Sequence, residues 1–472
     1  MPSKKPECWQ KCDFALIGER VSLHPQTWRA SRNLERLIEQ RWPAVVITLV
    51  VTSLGAAVTG LLFKTGVGWL GSWRLRLLEI ASPWLVLPLL GAIGGALSGL
   101  LVQQLAPAAA GSGIPHVMRF LSRQRVPMQL RVAVVKLVAG ILAIGSGFPL
   151  GPEGPSVQMG CSMGWQMARW FKAPPSLMRV IVAAGGGAGI AAVFNAPLGG
   201  FFYAIEELLR QAGPVLLLLV FSTAFLGSFW ADLMGLAGMG SKAAGIENGG
   251  FQLISEYSPD LSFAPRDLIY LVVLGAAVAL LAELYSRYVV GMQRLGVRWL
   301  PDQLVLRMMI GGLLIGLVYA ALPADFRNTA ALQHVIADGH VEVSKAVGIF
   351  VLLFFGTGLA ASTGAPGGLF APMLTLGGSI GLVAAGWAEV TTGHAPSTFV
   401  FAGMAAFIAA CARSPITAVF LVFALTKNLL ILKPLLVCAL ASTVMASILH
   451  EQSIYKRQLK LMGTLKPVLP TR

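Results

Sequence analysis

Apolar residues run through this chain in long blocks, not in the narrow stripes or strict alternation of a water-soluble fold. The blocks occupy 43–63, 83–102, 130–144, 178–194, 214–236, 268–290, 307–321 and 347–361, followed by almost all of 369–449. An upright helix needs about twenty such residues to cross a bilayer, so the pattern predicts an all-α polytopic membrane protein. Several blocks are shorter than that and are interrupted by Gly and Pro, which predicts tilted helices and helices that stop part way through the membrane. The segment 28–42 is different. Its charged face opposes Leu34, Leu37 and Ile38 between Trp28 and Trp42, the pattern of a helix lying in the interface.

Composition agrees with the pattern: 56% of the residues are hydrophobic and only 12% are charged. The formal net charge of +15 is concentrated towards the two ends of the chain, where Lys4, Lys5, Arg29, Arg32, Arg36 and Arg41 precede the first block and Lys456, Arg457, Lys460 and Lys466 follow the last. This distribution excludes nucleic acid as the partner and predicts two cytoplasmic termini, hence an even number of crossings. Lys64, Arg74 and Arg76 then fall on the far side, against the trend. The first forty residues are too polar for a cleaved signal peptide.

Cysteine and histidine add no chemistry. No CxxC, CxxH or HExxH spacing occurs, so neither a structural metal, a disulfide nor a zinc protease site is expected, and no cofactor is implied. GCSMG at 160–164 and GGSIG at 377–381 match the GxSxG hydrolase pattern. They follow no strand and occur in both halves of the chain, so close helix packing accounts for them better than a catalytic Ser162.

The chain repeats itself. Displacement by 217 residues lays SGFPLGPEGPSVQMGCSMG, from Ser146, over TGAPGGLFAPMLTLGGSIG, from Thr363; displacement by 218 lays AGGGAGIAAVFNAPL, from Ala184, over AGMAAFIAACARSPI, from Ala402. The near-constant register means two copies of one unit. Matching broken hydrophobic segments in two copies are the pattern of a transporter whose site lies at the repeat interface. Helix N-termini within such segments present free amides and a positive dipole end to an anion. Glycines allow close backbone approach and prolines suit the first helical turn. One carboxylate, Glu153, stands in the first of these runs. An ionisable group at membrane depth is costly and marks an ion path or a proton relay unless a buried partner merely neutralises it.

With those motifs in hand, the chain resembles the CLC family of chloride channels and chloride/proton antiporters, of the prokaryotic type without cytoplasmic nucleotide-sensing domains. GSGIP (Gly111, Ser112, Gly113, Ile114, Pro115), GPEGP (Gly151 to Pro155, with Gly154) and GLFAP (Gly368 to Pro372) occur in the family's order. Tyr455 follows the last apolar block. The resemblance spans 43–455 and implies the CLC fold, with two inverted-topology repeats at 43–260 and 261–455. A cytoplasmic segment, 1–42, precedes them and a short tail, 456–472, follows. It further implies a homodimer in the lipid bilayer with one pore per subunit.

Carried over residue by residue, the resemblance implies chloride binding by the Ser112 and Tyr455 hydroxyls and the Leu369 and Phe370 amides. Glu153 becomes the gating glutamate and external proton acceptor, and Glu207 the internal one, with Glu206 beside it. Adjacent helical residues point about 100° apart, so only one of this pair can face a buried route. Lys136 resembles a family lysine near the anion path and supplies positive potential; the competing expectation is a lysine snorkelling to the interface. Asp232, Glu283 and Arg287 are expected at the interface. Pro152 departs from the family pattern by replacing its usual basic residue, while the retained Ser112 favours chloride over fluoride and nitrate.

The function implied is chloride/proton exchange across a bacterial inner membrane. The alternatives are a passive CLC-type channel and, more remotely, a membrane-embedded enzyme.

Overall fold

A computed structural model describes residues 42–210, 213–237, 265–328, 342–392, 397–450 and 452–464, together with 263, 332, 335 and 336. The expected interfacial helix at 28–42, apart from Trp42, the charged N-terminal segment and residues 465–472 therefore lie outside the described residues. Among the described residues sixteen α-helices follow one another: α1 (Trp42–Ile80), α2 (Pro83–Leu105), α3 (Ile114–Leu121), α4 (Leu130–Gly145), α5 (Glu153–Trp170), α6 (Pro175–Phe194), α7 (Pro197–Tyr203), α8 (Pro214–Leu236), α9 (Asp267–Trp299), α10 (Leu304–Ala321), α11 (Val343–Thr363), α12 (Phe370–Thr392), α13 (Ser397–Ala412), α14 (Pro415–Thr426), α15 (Leu432–Leu449) and α16 (Ile454–Thr464). The described residues contain no β-strand, and nine helical segments among them are long and apolar enough to cross a membrane.

Two departures from the sequence reading have simple causes. The first span does not end before Lys64. α1 continues to Ile80 and is 39 residues long, about 58 Å at 1.5 Å per residue. That is roughly twice the hydrocarbon thickness, so it must tilt or project. The continuous block 369–449 is divided among four helices, α12 to α15. Arg413, at φ 61°, ends the second of these and Pro415 starts the third.

Small residues set the helix spacing. A Cβ added at Gly91 would meet the Gly312 carbonyl, and one added at Gly312 would meet that of Gly91, so α2 and α10 touch backbone to backbone. The repeat is visible in the same terms. Gly160 and Gly185 exclude each other's Cβ between α5 and α6, and Gly377 and Gly403 do so between α12 and α13. Gly164 lies on the Ile181 carbonyl, 2.6 Å from its virtual Cβ, and Gly381 lies on the Phe399 carbonyl. The GxSxG serines are thus part of packed helix faces. Asn195 (φ 50°) and Arg413 (φ 61°) occupy matching left-handed turns ahead of Pro197 and Pro415.

Among the contacts between the copies, one pairs equivalent residues. Gly151 N–H donates to the Gly368 carbonyl at 2.9 Å and Gly368 N–H to the Gly151 carbonyl at 2.6 Å, an isolated antiparallel bridge between residues 217 apart. Equivalent residues that exchange both bonds lie across a local two-fold axis. The first turns of α5 and α12 both start beside it.

Candidate functional site

The bridge positions Glu153. It is the first residue of α5, fully buried, and its Oε2 lies 3.0 Å from where a Cβ on Gly368 would be. The same oxygen overlies Gly151. Only glycine at both positions leaves room for the carboxylate to fold back over the junction. The carboxylate lies beside the amides of Glu153 and Ala371 but completes a hydrogen bond with neither, and neither oxygen has another partner among the described residues. When ionised, the carboxylate would be held at two positive helix ends by field more than by fixed bonds. Pro152 precedes the helix, and its carbonyl accepts from Ser156 N–H at 3.0 Å and Ser156 Oγ at 2.9 Å.

The first motif reaches the same place from another direction. Gly111 (φ 66°) and Gly113 (φ 86°) adopt left-handed conformations that a side chain would strain, and they turn the chain sharply into α3. Gly111 N–H donates to the Gly364 carbonyl at 2.8 Å, tying this loop to the second repeat. A Cβ on Gly154 would lie 2.6 Å from the Ser112 carbonyl oxygen and 3.0 Å from the Gly368 Cα. All three glycine motifs thus converge. Ser112 is buried, and its hydroxyl has no partner among the described residues.

Lys136 does not snorkel. It is fully buried on α4 and its ammonium donates to the Ala109 carbonyl at 2.9 Å and the Gly111 carbonyl at 2.5 Å. Gln158 donates to the neighbouring Ala108 carbonyl at 2.8 Å. Both side chains hold the loop that presents Ser112. A second buried cation, Arg74, which the sequence placed merely on the far side, packs on Gly147 and donates to the Arg327 carbonyl at 3.1 Å.

Leu369 and Phe370 are buried at the start of α12. The Phe370 ring stands 6.0 Å from that of Tyr455, which is fully buried in the first turn of α16, its hydroxyl without a partner among the described residues. The donors Ser112 Oγ–H and Tyr455 O–H, with a helix N-terminus, suit an anion. The sequence missed Tyr203. Its ring lies edge-on to Phe370 at 5.8 Å, and the only signal was its position four residues before Glu207.

The glutamate pair separates as geometry requires. After α7 the chain loosens into a π-helical turn, Ala204–Leu209, closed by Arg210 N–H donating to the Ile205 carbonyl at 2.8 Å. Glu206 points to the start of α14, where it accepts from Ile416 N–H (3.2 Å), Thr417 N–H (2.8 Å) and Thr417 Oγ (2.6 Å). It is a helix cap. Glu207 is buried, within 3.4 Å of Ser414 Oγ, 3.5 Å of Ser453 Oγ and 3.5 Å of the partly exposed Arg210 guanidinium. Both glutamates are thus held by protein groups and not simply solvated at a helix end.

Glu283, expected at the interface, is held by protein partners. It is buried in the middle of α9, paired with Arg287 at 2.6 Å and with Arg457, and so anchors α16 and Tyr455 from behind. Asp232 is exposed and accepts from Asn195 Nδ2 at 2.7 Å. No group of three or more metal-ligating side chains occurs among the described residues.

Comparisons with known proteins agree with this geometry. Residues 94–447 match the family described as voltage gated chloride channel. The chain is 32% identical over 443 residues to the H(+)/Cl(-) exchange transporter ClcA of Cronobacter sakazakii, covering 90% of this chain and 92% of that one. It is also 32% identical over 438 residues to ClcA of Klebsiella pneumoniae subsp. pneumoniae, covering 89% of this chain and 90% of that one. Among solved structures, a slow cyanobacterial Cl-/H+ antiporter superposes with a TM-score of 0.80 at 27% identity, over 90% of this chain and 99% of that one. A CLC-type fluoride/proton antiporter shares the fold, with a TM-score of 0.72 at 19% identity over 88% and 98%. This multi-pass membrane protein belongs to the voltage-gated chloride channel (CLC) family.

Proposed function

We propose that this protein exchanges chloride for protons across a bacterial inner membrane, with both termini cytoplasmic and one pore in each subunit of a homodimer. The observation that carries the reading is the Glu153 carboxylate, buried at the bridge between the two broken helices and without a completed hydrogen bond. A carboxylate is an anion and competes with chloride for the same helix ends. Protonation cancels its charge, releases it from the junction and opens the place to chloride. One side chain thereby couples the two ions. Ser112, Tyr455 and the amides of Leu369 and Phe370 bind the chloride. Glu207 takes up the proton from the cytoplasmic side, where Arg210 and the two serines steady its charged form, and Lys136 raises the positive potential while fixing the Ser112 loop.

Chloride-driven proton movement in proteoliposomes tests the reading. The wild type is expected to move protons against their gradient when chloride flows down its own, and Glu153→Ala is expected to carry chloride alone. Chloride flux without proton movement in the wild type would identify a passive channel instead.

A further inference from the structure

Tyr203 is unused by the chemistry above, yet it occupies the ground between the two carboxylates. It ends α7, four residues before Glu207, so the phenol and the inner carboxylate are about one helical turn apart. Its ring lies against Phe370 at the start of α12, and Tyr455 lies against Phe370 in turn. Going along these contacts leads from Glu207 through Tyr203 to the Phe370 end of α12, two residues from the Gly368 on which Glu153 rests.

The residue is fully buried and its hydroxyl makes no hydrogen bond among the described residues. Leaving such a buried hydroxyl unpaired is costly. Phenylalanine would fill the space and make the same ring contact without that cost, so the oxygen is the atom to explain. The titratable groups in electrostatic reach are Glu207 on its own segment, Tyr455 on α16 and Cys161 on α5. The Cys161 thiol is buried beside Gly186 and is only a weak donor.

We propose that the Tyr203 hydroxyl relays protons between Glu207 and the Glu153 end of the anion path, an inference that rests on the exchange reading. Protonated Glu207 gives its proton to the phenol oxygen as the phenol O–H gives its own to a water molecule in the anion path, which passes one on to Glu153. One proton enters and one leaves, no phenolate forms, and rotation about the C–O bond resets the hydroxyl.

Tyr203→Phe removes the oxygen and keeps the ring, so it preserves packing. In proteoliposomes its chloride flux should stay within about twofold of wild type while proton flux falls by about tenfold, the effect of a barrier raised by one hydrogen-bonded step. An unchanged proton-to-chloride ratio in Tyr203→Phe, beside a wild type that exchanges, overturns the relay and leaves the exchange reading intact. Equal loss of both fluxes also overturns it, because the hydroxyl then serves the anion path or the fold. A wild type that moves no protons overturns the exchange reading, and the relay with it.

Discussion

The two broken helices use the same backbone for different chemistry. At 146–164 and 363–381 the chain has matching close-packed glycines, and Gly147 (φ 121°) and Gly364 (φ 80°) are both left-handed turns. The residue that begins each helix differs. Glu153 starts α5 and its counterpart Phe370 starts α12. One contributes a charge that can be neutralised; the other contributes a backbone amide and a ring that carries Tyr203 and Tyr455. The duplicated scaffold places two helix starts side by side, and in the proposed exchange a single unmatched carboxylate makes their positive field responsive to protons.

The shared scaffold can be broken from either side. Gly160→Val and Gly377→Val each push a side chain into a facing glycine carbonyl, and each should cost about 3 kcal/mol or more. Thermal unfolding in detergent checks this. Equal losses support equivalent repeats, and a loss confined to one repeat would limit the symmetry to the junction. The asymmetric features should fail more selectively. Lys136→Met leaves the Ala109 and Gly111 carbonyls without their donor, and a destabilisation of about 2 kcal/mol is expected together with weaker chloride binding by calorimetry. Glu206→Gln weakens the cap on α14 by about 1 kcal/mol, seen in the same melt, and leaves the proton-to-chloride ratio unchanged. Glu207→Gln should do the reverse, lowering proton flux with little change in stability.

What could be read in advance follows from the kind of interaction involved. The repeat and the three glycine motifs were legible because backbone approach demands glycine and helix starts favour proline wherever they occur. The roles of Lys136, Glu206 and Glu283 were not, since each is decided by a partner far along the chain: the Gly111 loop, the start of α14 and Arg457. A buried lysine and a snorkelling one look alike until the carbonyls around them are located. The π-helical turn that separates Glu206 from Glu207 leaves no periodic signature either, being only six residues long. Tyr203 was hidden for a different reason: an aromatic residue in an apolar helix reads as core, and here its ring packs as core while its buried oxygen has no partner among the described residues.

In the proposed exchange, Glu153 and chloride compete for one place. Calorimetric titration of chloride into wild type and Glu153→Ala, at neutral and at acidic pH, tests it directly. Acid neutralises the carboxylate, so wild type should bind chloride more tightly as pH falls, whereas Glu153→Ala should bind as tightly at neutral pH as the acidified wild type does. Identical, pH-independent binding by both proteins would contradict the claim.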